Sequence, residues 1–284
     1  LLDKSDHVAI TEVKNLLEYE KVLLDKTLNE ALFSYSDDVT WIFGGKEVEV
    51  KTFRMFNELL SFVCNTVYHK TPVMNNELFN RHKLSGSISS ARVKYLTAML
   101  NQGNEIDFGF AKDKFPPEKT IYYSLLKHTG LHAEGAFASQ PSNEGIKPLW
   151  DACEDFLAST TNKPRKISEL IKLLSARPYK LKQGFLDFWI PTYLYIKKQE
   201  YSLYGNGGAY IPNVNMEFFE LLQKHSSDYS VKALDVTGVR MDIFNQYRKF
   251  LNVNALGEVK SDDFVETIKP FFFFYSRQLN DYAK

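Results

Sequence analysis

Glycine clusters beside a lysine are where nucleotide chemistry would show first. A phosphate loop needs the spacing G-x-x-x-x-G-K-[ST], so that backbone N–H groups wrap the phosphates while the lysine reaches the terminal ones. Gly44-Gly45-Lys46 lacks the leading glycine and is followed by Glu47, whose charge repels phosphate. Gly205-Asn206-Gly207-Gly208 lies between strand-like residues and does not open a helix. Both read as turns. Metal chemistry needs clustered His, Cys or carboxylates. His128 and His132 stand four apart, but Gly130 lies between them where a helix should stop, so helix-end capping or surface exposure accounts for them. His69 and His82 have no partner carboxylate at ligand spacing. Cys64 and Cys153 lie 89 residues apart with no CxxC, and read as small half-buried hydrophobes in a reducing cytoplasm. No G-x-S-x-G nucleophile turn occurs, and the pairs Asp37-Asp38 and Asp262-Asp263 read as turn and helix-start residues. The expectation is therefore no catalytic residue, metal or cofactor in this stretch, which should not hydrolyse ATP unaided.

Charge placement says more. The chain has 284 residues with 35 Lys and Arg against 35 Asp and Glu, which excludes a polycation that coats nucleic acid along its whole surface. The neutral total hides an asymmetry. Residues 1–60 carry twelve acids against seven bases. Between positions 163 and 182 stand Lys163, Arg165, Lys166, Lys172, Arg177, Lys180 and Lys182 against the single acid Glu169. Between positions 81 and 94 stand Arg81, Lys83, Arg92 and Lys94 with no acid, interleaved with Ser85, Ser87, Ser89 and Ser90. Lysine and arginine attract phosphates and serine hydroxyls donate to phosphate oxygens, so these eleven bases are candidate contacts to double-stranded DNA. The plainer alternative is two solvated faces.

The elements that position these residues are mostly helical. Ile10, Val13, Leu17, Leu24, Leu28 and Ala31 share one stripe of a helix over about 9–33, and four of them repeat every seven residues. Packing of that stripe onto its own domain is expected, with a short coiled-coil seam as the alternative. A hairpin through Gly44-Gly45-Lys46 and a helix over 52–68 follow. Pro72 opens a helix through Arg81, Ile88–Leu100 forms another, and Pro116-Pro117 starts one that ends at Gly130. Residues 135–147 read as a loop. Beyond a helix over 149–158, residues 167–212 give helix, helix and glycine-turned hairpin, the layout of a winged helix. Pro191 should kink or restart the second of those helices. That helix is apolar almost all round, hence buried, and unsuited to reading base edges. The fold class is mainly α with small β-hairpins (α+β): 1–70 amphipathic helix, hairpin and helix; 71–134 compact helical module; 135–165 loop and linker helix; 166–235 winged-helix-like module; 236–284 C-terminal helical segment, which includes the apolar stretch 268–275. No stretch approaches the roughly 20 apolar residues of a membrane span. The start, Leu-Leu-Asp-Lys, is not a signal peptide and reads as the edge of a piece of a longer protein.

Several segments in order resemble large multidomain bacterial P-loop ATPases of phage-defence islands, the BREX-type ATPases and relatives. PVMNNELFNRHKLSGSISSARVKYLTAML, from Pro72, is similar to their P-x-x-x-NEL-(I/F)-NR-x-x-LS…AR…L…ML stretch. FPPEKTIYYSLLKHTGLH matches PPE…Y-x-SLL…TGLH, RPYKLKQGFLDFWIPTYL matches PYGL…G-x-(I/L)-P, and LYGNGGAYIPNVNMEFFELL matches LYE-x-G-x-(F/Y)-(I/V)-P…E-x-L. The resemblance covers most of the chain. It implies an upstream nucleotide-hydrolysing domain that takes ATP and Mg and further chain beyond Lys284; the cysteine usage and the lack of an apolar span separately lead to the expectation of a cytoplasmic protein with no membrane contact. Partners would be the ATPase domain of the same chain and other defence-system subunits. Asn76, Glu77, Asn80 and Arg81 of NNELFNR would form a coupling surface to the ATPase domain; helix capping and internal hydrogen bonding are the structural alternative. This chain departs from the pattern at Lys180, where the family has glycine, and at Gly205, where it has Glu. The implied role is non-catalytic coupling, assembly or scaffolding, with sequence-nonspecific DNA contact as the alternative.

Overall fold

The computed structural model describes residues 6–32, 39–74 and 76–234. Asp37-Asp38, Asp262-Asp263, the stretch 268–275 and the whole of 236–284 lie outside the described residues. The chain divides into two compact units, Leu1–His69 and Lys70–Lys284. It is mostly helical with small antiparallel sheets.

The first unit holds helix α1 (His7–Leu32), strands β1 (Trp41–Phe43) and β2 (Lys46–Val48), and helix α2 (Phe53–Val67). Asp6 caps α1 by accepting from the Ala9 N–H at 2.9 Å, and Thr52 caps α2 through the Met55 N–H. Gly44 and Gly45 both take positive φ, as a two-residue hairpin turn requires. The hairpin packs its rings on α2, with Trp41 against Phe56 at 4.9 Å and Phe43 against Phe62 at 5.7 Å between centroids. Val50 is the only buried residue among the described residues of this unit. The α1 stripe expected to pack on its own domain is instead open: Val13, Leu17, Leu24 and Leu28 are all exposed. Cys64, read as half-buried, is exposed as well.

The second unit is built from α3 (Gly86–Gln102), α4 (Pro117–Tyr122, continued by a wide turn over Tyr123–Lys127), β3 (His132–Ala133) and β4 (Ala136–Phe137), α5 (Lys147–Ala158), β5 (Arg165–Lys166), α6 (Ile167–Ser175), α7 (Gln183–Ile196), β6 (Tyr201–Tyr204), β7 (Tyr210–Ile211), α8 (Met216–Lys224) and β8 (Ser230–Ala233). β3 and β4 form a hairpin where a plain loop was expected. The larger sheet has the order β5-β8-β6-β7, antiparallel throughout, with Leu203 opposite Val231. One buried apolar cluster runs from Phe79 to Val231, so residues 71–134, 135–165 and 166–233 share a single core.

Helix α7 is the centre of that core, with Phe185, Leu186, Phe188, Trp189, Ile190, Tyr193 and Leu194 all buried. Pro191 lies inside it, and the helix runs on through the proline rather than restarting there, the second of the two expectations of a kink or a restart. Proline removes the N–H that would bond the carbonyl four residues back, which here is Asp187. Arg92 of α3 supplies the missing donor: its Nε bonds the Asp187 carbonyl at 2.8 Å and its Nη2 bonds the Phe219 carbonyl of α8 at 3.0 Å.

The helix expected over 72–81 is absent, and residues 77–79 form a turn. Asn76 is the reason. Its side-chain oxygen accepts from the Leu78 N–H at 3.1 Å, and its amide donates to the Ser124 hydroxyl at 3.0 Å and the Thr120 carbonyl at 3.3 Å. Asparagine thereby offers the backbone a bond that competes with helix. The turn buries Phe79 completely and sets its carbonyl and that of Arg81 against Gly184, where a Cβ would lie 2.7 and 2.6 Å from those oxygens. Only glycine fits there.

Arg92→Met should cost about 2 kcal/mol by leaving buried carbonyls without a donor. Adding Pro191→Ala restores the in-helix bond to the Asp187 carbonyl and should recover about 1 kcal/mol, as a double-mutant cycle in urea would show.

Candidate nucleic-acid interface

The two basic segments meet. Residues 70–84 run beside 177–184, held by four backbone-directed bonds. Thr71 Oγ1 donates to the Tyr179 carbonyl at 2.5 Å and lies 3.4 Å from that of Pro178. The Gly184 N–H donates to the Arg81 carbonyl at 2.8 Å, and Lys182 Nζ donates to the Asn80 carbonyl at 3.2 Å. Lys70, Arg81, Lys83, Arg177, Lys180 and Lys182 therefore stand on adjoining segments whose one acid is Glu77. Like charges gathered this way raise a positive local potential under an overall neutral chain.

The eleven candidate bases divide by what already holds them. Arg92 is buried against the two carbonyls named above, and burial lowers its pKa although Asp187 and Glu220 oppose this; it cannot meet a phosphate. Arg165 bonds Glu169 through Nε at 2.9 Å and Ser159 through Nη1 at 2.7 Å, and lies over the Phe156 ring at 4.6 Å. Its bond holds the Glu169 carboxyl below the usual carboxylate range and fixes the start of α6. Lys182 is half-buried on Asn80, and Lys94 lies 3.6 Å from Glu118. Arg81 donates from Nε to the Glu77 carbonyl at 3.0 Å yet stays exposed. Lys83, Lys163, Lys166, Lys172, Arg177 and Lys180 are exposed. The proposed coupling residues divide similarly: Asn76 is internal, Asn80 is half-buried, and Glu77 and Arg81 face solvent.

Between the 82–84 segment and α3, α6, α7 and α8 lies a cleft of 440 Å³, lined by His82, Lys83, Ser89, Asp187, Gln223 and Ser226 among others. The Asp187 carboxylate accepts from Gln183 Nε2 and Gln223 Nε2, each at 2.7 Å. The acid is thus committed to tying α7 to α8 beside the basic segments.

Sequence reasoning missed a buried polar cluster. His132 is fully buried, correcting the capping or surface reading, and its Nε2 meets the Gly103 carbonyl at 2.9 Å. A carbonyl only accepts, so Nε2 carries the proton, and in the neutral ring Nδ1 accepts from the Tyr122 hydroxyl at 2.8 Å. Asp107 adjoins this pair, taking both oxygens to Lys127 Nζ at 2.7 Å. Burial pushes the Asp107 carboxyl up, but bonds from Lys127 and Tyr123 leave it below its ordinary value. Asp107 and Phe108 both take left-handed φ, near 52° and 54°, which these bonds stabilise against steric cost. Elsewhere Lys197, nearly buried, is ion-paired to Glu154 at 2.9 Å and Glu200 at 3.0 Å. Buried Cys153 accepts from Trp189 Nε1 at 3.4 Å, and burial pushes its thiol up to about 12. The density of aromatic residues around 107–137 was the only sequence signal for such a cluster. Among the described residues no group of three or more His, Cys, Asp or Glu could hold a metal, and no helix is long and apolar enough to cross a membrane.

Burial lowers the His132 pKa, outweighing the Gly103 bond that raises it. The unfolded chain then binds more protons below about pH 6.5, the ordinary histidine value, so stability falls as pH drops through that value toward the folded pKa. Thermal melts from pH 7 to 5 should show this slope in the wild type and a flatter one in His132→Phe. Comparison with known proteins finds no family model, no curated protein and no solved structure that matches the chain.

Proposed function

We propose that this chain is a non-catalytic region of a phage-defence ATPase of the BREX-type group, acting in assembly and coupling. The observation that carries the assembly role is the open apolar surface of α1 and α2. Leu16, Leu17, Leu23, Leu24 and Leu28 on α1 and Phe53, Leu60 and Phe62 on α2 are exposed, far more than scattered surface residues explain. A 26-residue helix with such a face gains its stability from whatever covers it. The partners are the ATPase domain of the same chain, which would hold ATP and Mg, and other defence-system subunits in the cytoplasm. One detail supports the resemblance: Lys180, where the family pattern has glycine, takes a left-handed φ of 53°, the conformation glycine favours. The order α6, α7, β6, β7 with β5 and β8 completing the sheet supports a winged-helix-like reading of 166–235, with α8 placed between β7 and β8.

Light scattering on the chain alone, and on the chain co-expressed with its upstream ATPase region, tests the assembly role. A species larger than the monomer is expected in at least one preparation, reverting to monomer in Leu17→Glu/Leu24→Glu with the melting of the second unit unchanged. A monomer in both preparations overturns it.

The joined basic segments favour a second reading, sequence-nonspecific contact with the backbone of double-stranded DNA. Each neutralised phosphate releases counterions, so affinity should fall steeply between about 50 and 200 mM salt. In fluorescence anisotropy with a labelled duplex, Lys83→Glu/Arg177→Glu/Lys180→Glu should weaken binding at least about tenfold at low salt, since three phosphate contacts are lost. No binding by the wild type at low salt overturns this reading.

A further inference from the structure

The apolar stripe of α1 has a property that names its partner. Ile10, Val13, Leu17, Leu24, Leu28 and Ala31 follow one another at spacings of 3, 4, 7, 4 and 3, the same sequence read from either end. We infer that α1 pairs antiparallel with α1 of a second copy of this chain, across a two-fold axis passing between Glu20 and Lys21. The inference rests on the assembly reading above and specifies who covers the face.

A two-fold axis at that point sets Ile10 opposite Ala31 of the second copy, Val13 opposite Leu28, and Leu17 opposite Leu24. Apolar thus meets apolar at each of these pairs, with Glu20 and Lys21 at the level of the axis between them, and the larger side chain faces the smaller at the outer two pairs, which keeps those layers even in volume. A self-complementary patch of this kind is what a two-fold interface demands, since the same surface serves both partners. Five of its six residues are open, with Val13, Leu17, Leu24 and Leu28 46%, 54%, 58% and 44% exposed and Ala31 exposed as well, while Ile10 is half-buried.

Charge selects the direction. In the antiparallel pair Lys14 and Asp25 lie on the same flank, and each Lys14 comes within two residues of Asp25 of the second copy, about 3 Å along the axis at 1.5 Å per residue. A parallel pair would use the heptad set Ile10, Leu17, Leu24 and Ala31 with Val13, Glu20 and Thr27 as the alternate layers. That arrangement places Glu20 in the seam level with Glu20 of the second copy, bringing two like charges together, whereas the antiparallel pair sets Glu20 level with Lys21 of the second copy.

Cysteine cross-linking on the whole chain in a Cys64→Ser background tests the pairing. Leu17→Cys and Leu24→Cys proteins, mixed under reducing conditions and then oxidised, should form a disulfide-linked dimer at least about tenfold more than either alone, because a disulfide requires Cα atoms within about 7 Å. Cross-linking of Leu17→Cys with itself would mean a parallel pair and overturn the inference. So would a monomer by light scattering with no cross-link in any mixture, and in that case co-elution with the upstream ATPase region would leave the assembly reading standing. Charge exchange gives a readout independent of the thiols. Lys14→Glu alone should weaken dimerisation, and Lys14→Glu with Asp25→Lys should restore it; failure of the restoration overturns the antiparallel register.

Discussion

The second unit depends on one guanidinium. Pro191 lets α7 carry its apolar side chains through the middle of the core, but leaves the Asp187 carbonyl without its helical donor. A carbonyl taken from water without a partner costs free energy comparable to a lost hydrogen bond. Arg92 meets that need from α3 and, in the same side chain, reaches the Phe219 carbonyl of α8. Three helices are therefore registered by one residue. The Asp187 side chain adds a second tie at the same level, taking amides from Gln183 and Gln223. Asp187 joins the elements twice, with its backbone oxygen on α3 and its carboxylate on α8.

Gly184 extends this arrangement to the preceding turn. With α7 fixed, the absence of a Cβ at its first turn lets the Phe79 and Arg81 carbonyls close to distances no other residue permits. That approach draws segment 70–84 onto 177–184 and gathers the basic side chains. The charges do not hold themselves together: six cations on adjoining segments repel one another, and the bonds across the join are all made to backbone carbonyls. The fold supplies what electrostatics opposes.

Much of this was legible in the residues and some was not, for identifiable reasons. Gly44-Gly45 declared its hairpin because only glycine takes two successive positive φ values without strain. The near-continuous apolar face of α7 declared its burial. Arg92 was misread because arginine is exposed by default, and nothing local marks the one that serves a proline on another helix 99 positions away. The helix expected after Pro72 failed because Asn76 finds Ser124 and Thr120, partners that exist only once the chain has folded. Sequence spacing from His128 suggests helix-end capping or exposure for His132, while its actual partners, Tyr122 and the Gly103 carbonyl, are set by tertiary structure.

The two units solve the problem of burial in opposite ways, and this difference orders the functional readings. The second unit encloses a continuous apolar core, leaving a few apolar residues such as Val73, Ile106 and Phe115 exposed, and satisfies its buried cations internally, with Arg92, Lys119 and Lys197 each held by carbonyls or carboxylates. The joined basic segments it turns outward attract polyanions weakly and reversibly and are screened by salt. The first unit leaves apolar surface outward, and apolar attraction is not screened by salt and is non-directional. If α1 pairs as proposed, its contacts should be the persistent ones, with direction set by spacing and flanking charge. The symmetric spacing of the α1 stripe supplies that direction without any residue outside the helix.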